Sequence, residues 1–196
     1  MNKIQKNEIK RKFVHLLSII YVICYIYYDK IITLIGLAIV IFIVIVFENI
    51  RLKSKNINNF LKKIDGFYRF NEINKFSGLI WTLLGSFITI LLFNNKHIII
   101  VSFLYFIFGD ASAALIGVFI GKHKIFKKKS LEGSLSCFII CFIIGFYFFN
   151  FKFSLIGAIT AVIIEMFLCK PNDNFWMQII NTFVLTLLSN IILWKK

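Results

Sequence analysis

Asp110 stands inside an otherwise apolar run, residues 98–120, and small residues follow it. Gly109, Ala113, Gly117 and Gly121 recur at every fourth position, so on a helix they form a bare ridge beside Asp110. A carboxylate at membrane depth is expensive, and such residues face a protein interior and mark functional sites. Small neighbours let another helix, or a ligand, approach the backbone closely. Lys122, Lys124, Lys127, Lys128 and Lys129 collect where the run ends, and Ser130, Glu132 and Gly133 follow them. An acid able to hold a divalent metal, a glycine-bearing turn and a lysine cluster together suit a polyphosphate.

Other polar residues are spaced as if to join this stretch. Glu8, Arg11, Lys12 and His15 follow an i, i+3, i+4, i+7 pattern and therefore share one helical face. Glu48 and Arg51 close a second apolar run, and Glu165 lies one turn from the end of another. Beyond Glu165 the only proline, Pro171, breaks the helix and leaves Asn172, Asp173 and Asn174 in a short loop. The cysteines do not make a zinc set. Cys137 and Cys141 are four apart on one helix, but neither a nearby histidine nor a CxxC pair completes four ligands.

The elements that must carry these residues are apolar. Hydrophobic residues make up 59% of the 196, and the mean hydropathy is +0.84, both beyond a soluble domain. Net charge is +14, with 23 basic residues against 9 acidic. The bases lie between long apolar runs, so the positive-inside rule and anionic headgroups account for them, and nucleic acid does not. No protein partner is indicated. The expectation is an all-α polytopic membrane protein, one domain over residues 1–196.

Seven runs are long enough to consider as spans: residues 13–28, 31–47, 77–93, 98–120, 134–149, 153–168 and 175–194. The first resembles the n- and h-regions of a signal peptide, but Tyr27, Tyr28, Asp29 and Lys30 stand where a cleavage site would, so it reads as a retained anchor. Placing the N-terminus in the cytoplasm puts segments 1–12, 48–76, 121–133 and 169–174 on one side, with 18 of the 23 basic residues. The same choice leaves only Asp29 of the nine acids outside. Seven spans with a cytoplasmic N-terminus, in the cytoplasmic membrane of a bacterial cell, is the topology this predicts.

Four blocks now carry a family resemblance: ExxRKxxH at Glu8–His15, GDASAALIG at Gly109–Gly117, KSLEGS at Lys129–Ser134, and Glu165 followed by PNDN. In this order they resemble the CTP-dependent lipid kinases, a family holding dolichol kinase, phytol kinase and the yeast-type diacylglycerol kinase. The resemblance implies transfer of the γ-phosphate of CTP, with Mg²⁺, to a membrane lipid alcohol at the cytoplasmic face. It implies catalytic roles for Asp110, Glu165 and Asp173, with Asp110 and Asp173 at the metal. Nucleotide and phosphate contacts fall to Arg11, Lys12, His15, Gly117, Gly121, Lys128, Lys129, Ser130, Glu132, Gly133, Asn172 and Asn174. A related motif occurs in phosphatidate cytidylyltransferases, which make CDP-diacylglycerol; their C-terminal SxxKRxxxxKD and PxHGG block has no counterpart here. A third reading is a small transporter that uses Asp110 as its coupling site.

Overall fold

The computed structural model describes residues 3–54, 56–58, 74–126, 129–167 and 172–194. Lys127, Lys128, Pro171 and most of 48–76 beyond residue 58 lie outside the described residues. The chain is a bundle of helices, as the apolar runs predict. Its elements are α1 (Lys3–Leu16), α2 (Ile19–Tyr27), α3 (Lys30–Lys53), α4 (Gly78–Leu92) and α5 (Lys96–Leu104). A π-helical turn, Tyr105–Gly109, joins α5 to α6 (Asp110–Phe119) without a break in direction of the chain. Then come β1 (Lys124–Phe126), β2 (Lys129–Ser130), α7 (Leu131–Phe148), α8 (Phe151–Phe167) and α9 (Asp173–Trp194).

Among the described residues three stretches are long and apolar enough to cross a membrane: Lys30–Lys53, Lys96–Phe119 and Leu131–Phe148. Gly78–Leu92 is apolar but shorter. The first expected span is not one helix. Leu17 N–H donates to Val14 O and Ser18 N–H to His15 O, at 3.2 and 3.0 Å, so the chain tightens by i→i−3 bonds between α1 and α2. Arg11, Lys12 and His15 thus sit on a separate helix that can pack independently of α2.

The core is centred on Lys96–Phe119, whose apolar 18-residue stretch is 72% buried inside the bundle. Phe103, Tyr105, Phe106 and Ile107 are fully buried there. α7 and α9 pack directly on it, and α7 also packs on α8. Small residues permit this closeness. A Cβ on Gly109 would stand 2.6 Å from Cys141 Sγ, and one on Gly133 would stand 2.5 Å from Ala113 O. The ridge beside Asp110 is therefore filled by α7, and it packs helix on helix.

Polar residues bind α4 to α9 inside the same core. Gln178 Nε2 donates to Thr82 O at 3.1 Å and to Asn174 O at 2.9 Å, and Ser86 Oγ donates to Gln178 Oε1 at 2.6 Å. Gln178 and Ser86 are fully buried, where each satisfied bond counts because an unsatisfied amide would be costly.

Candidate functional site

The polar blocks of the sequence meet. Lys12 Nζ on α1 donates to Asp110 Oδ2 at the start of α6, and both side chains are almost wholly buried. His15, one turn further along α1, places Nε2 3.6 Å from the same oxygen. That nitrogen also lies 3.2 Å from Phe106 O. A carbonyl only accepts, so Nε2 carries a proton toward it, and in the neutral imidazole Nδ1 is the acceptor. The π-helical turn ahead of Asp110 adds one residue to the helical turn, a feature frequent at functional sites.

A second cluster adjoins the first. Lys129 Nζ on β2 donates to Glu165 Oε1 on α8 and lies 3.3 Å from Asp173 Oδ2, the first residue of α9. Burial alone would lower the pKa of Lys129, but Asp173, Glu165 and Asp110 outweigh it and hold the ammonium above its ordinary range. Arg11 donates to Glu8, with Nε 3.2 Å from Oε2. Its pKa too is raised: burial opposes the charge, and the Glu8 contact prevails. Arg11 lies within electrostatic reach of Asp110 and Asp173, and Lys129 of Asp110. Residues 98 apart and 44 apart in sequence so form one charged assembly.

Asp110, expected to hold a metal, is instead met by Lys12, which supplies the compensating cation. The expected phosphate cradle at Ser130–Gly133 is also spoken for locally. Ser130 is buried, and its Oγ caps α7 by accepting Gly133 N–H at 3.2 Å. Glu132 Oε1 accepts the backbone N–H groups of Lys122 and His123, both at 3.2 Å, and faces His123 Nδ1 at 2.8 Å. Its own backbone amide, the His123 ring and those amides pull the carboxyl down to about 2. Gly117 and Gly121 both face Ser130. These residues shape the turn that presents Lys129. That turn is a two-stranded antiparallel hairpin, with Lys124 opposite Ser130 and Phe126 opposite Lys129, which the all-helical expectation did not include.

Asn172 Oδ1 accepts Asn174 N–H at 3.0 Å and fixes the entry to α9. Among the described residues Asn174 Oδ1 and Glu165 Oε2 are buried acceptors with no hydrogen-bond partner. With the Asp173 carboxylate they are oxygen donors of the type Mg²⁺ takes. Among the described residues no group of three or more His, Cys, Asp and Glu assembles, so a site made wholly of protein ligands for zinc is not present there.

The sequence marked one further pair at the end of an apolar run without giving it a role. Glu48 and Arg51 form a buried ion pair at 2.7 Å, and Glu48 Oε2 accepts Ser77 N–H at 3.1 Å. Arg51 in turn donates to Lys75 O at 2.6 Å. Their i,i+3 spacing at the end of an apolar run was the available signal. Between α1, α3, α4 and the Asn172–Asn174 turn lies a cavity of about 340 Å³, with Arg11, His15, Glu48, Ser77 and Thr82 among its walls.

No family model matches the sequence, and no solved structure matches it. The chain is similar to the protein described as Uncharacterized protein RP860 of Rickettsia prowazekii (strain Madrid E), at 31% identity over 180 residues. The match covers 85% of this chain and 87% of the rickettsial one.

Proposed function

We propose that the chain, which belongs to one family with the rickettsial protein, is a membrane-embedded kinase that moves the γ-phosphate of CTP to a lipid alcohol. The acceptor class is polyprenol or dolichol, phytol, or diacylglycerol. One observation carries this reading: Arg11, Lys12 and His15, Asp110, Lys129, and Glu165 with Asp173 converge, and these are the blocks that resemble the CTP-dependent lipid kinases. Phosphoryl transfer asks a protein mainly for positioning and charge neutralisation, and this assembly offers both.

Lys129 and Arg11 neutralise the triphosphate. Glu165, Asp173 and Asn174 would hold Mg²⁺, which would supply positive charge to the transferring phosphoryl group. Lys12 keeps Asp110 ionised at its depth, and Asp110 with the Phe106 carbonyl orients His15. The free Nδ1 of His15 takes the proton of the lipid hydroxyl. The frame for this chemistry is seven spans, N-terminus in the cytoplasm, with the site on the cytoplasmic side of a bacterial cytoplasmic membrane, supported by the 18-of-23 bias in basic residues.

Purified protein given CTP, Mg²⁺ and a panel of lipid alcohols is expected to release CDP and a phosphorylated lipid. Release of pyrophosphate with phosphatidate would instead identify a cytidylyltransferase. Solute flux without nucleotide would identify a transporter.

A further inference from the structure

The cavity beside Arg11 is built unevenly. Its wall carries the polar Arg11, Glu48, Ser77 and Asn174 beside the apolar Ile43, Val44 and Leu79 of α3 and α4, with the hydroxyls of Ser18 and Thr82 further along. From Arg11 to Ser18, both on its wall, α1 and the turn after it advance roughly 10 Å along the axis. The volume, about 340 Å³, is at the lower end of the range for small-ligand pockets. It holds a headgroup and the beginning of a chain, and the remainder of a long lipid must leave it.

The way out is along α3. This helix packs principally on α4 and α2, whereas α1 packs on α6 and the π-helical turn. Among the described residues α1 and α3 do not pack closely on each other, and the cavity lies between them. Ile43 and Phe47 line that cavity and are also 59% and 46% exposed on the outer face. Ile35, Ile39 and Phe42 continue the exposed apolar surface away from it. In a candidate spanning helix of which only 17% is buried, such a face meets lipid.

We infer that this cavity is the binding site for the acceptor alcohol, entered sideways from the bilayer between α1 and α3. The hydroxyl comes to rest at His15 and Arg11, the first part of the chain lies on Val44 and Phe47, and the rest stays among lipids on α3. The inference rests on the kinase reading for its occupant, and on the cavity's polar and apolar division for its place. The nucleotide approaches from the other side, where Lys129 joins Glu165 and Asp173, so donor and acceptor would meet at His15.

Two readouts test this. In vesicles of defined phospholipid, a long-chain alcohol carrying a diazirine near its hydroxyl is expected to label α3 and α4 around Val44, Phe47 and Leu79. Val44→Trp or Leu79→Trp should cut that labelling, and raise the KM for the alcohol about tenfold while the KM for CTP holds. Ile139→Trp, on the exposed face of α7 and absent from the cavity wall, should change neither. Labelling elsewhere, or unchanged labelling and KM in both cavity variants, overturns the inference. If labelling falls as expected but the wild-type protein releases no CDP with any alcohol, the cavity stands as a lipid site and the kinase reading fails.

Discussion

Lys12 and Asp110 pair directly in the buried interior, and that sets what their replacement does. Asp110→Asn keeps the shape but leaves the Lys12 ammonium buried beside a neutral amide. Removing one partner of a buried pair costs about 3–5 kcal/mol, because the other charge is stranded. Kinase turnover is expected to fall about 100-fold or more, the scale of losing a major electrostatic contact at a reacting centre. The double variant Lys12→Met with Asp110→Asn separates the two effects. Its thermal unfolding in detergent should recover most of the loss, while CDP release stays low. Recovery of turnover along with stability would show that the pair serves folding alone. Asp110 was legible in the sequence as a buried acid needing a cation; Lys12 as that cation was not. Periodicity along α1 puts Lys12 and His15 on one face, but it does not say which partner 98 residues away that face will meet.

At the scale of elements, close helix contact is bought with missing side chains at Gly109 and Gly133. Gly109→Ala brings a methyl group to 2.6 Å from Cys141 Sγ and 3.2 Å from Cys137 Sγ and the Met177 methyl. Overpacking of this kind typically costs about 1–3 kcal/mol. Adding Cys141→Ala removes the nearest obstacle and should restore much of the stability, read as the unfolding midpoint of the purified protein. If Gly109→Ala is silent, the contact between the π-helical turn and α7 is looser than its geometry. Most elements were readable from apolar runs: 98–120 became Lys96–Phe119 and 134–149 became Leu131–Phe148. Two features were not. The break at Leu17–Ser18 lies within an unbroken apolar run, where composition carries no stop signal. The hairpin of Lys124–Phe126 with Lys129–Ser130 lies in a lysine-rich turn, where charge repeats hide the short pairing.

For the whole molecule, the bundle gathers its charges at one end and leaves the opposite connections sparse. Lys30 there donates to Leu91 O, Phe93 O and Asn94 Oδ1, at 3.1, 2.9 and 2.7 Å, closing the end of α4. If the proposed topology holds, single cysteines placed at Lys124 and Lys152 in the otherwise cysteine-free chain should react with impermeant reagents from opposite sides of the membrane. Equal reactivity from outside would remove the common face on which nucleotide and metal must assemble. The convergence of blocks from α1, α6, β2, α8 and α9 was legible only as a shared side. Their pairing into Lys12 with Asp110 and Lys129 with Glu165 and Asp173 needed the folded chain.

The 15 residues of α4 measure roughly 22 Å end to end, against a hydrocarbon core of about 30 Å. A helix that short draws the nearby leaflets together, at a fraction of a kcal/mol per ångström of mismatch. Under the proposed topology the thinning would fall where α4 borders the cavity, and lipid headgroups would sink toward His15. Turnover in vesicles should therefore fall as the phospholipid acyl chains are lengthened, with the KM for CTP unchanged. A rate indifferent to bilayer thickness would mean that the alcohol reaches the site without help from a deformed membrane.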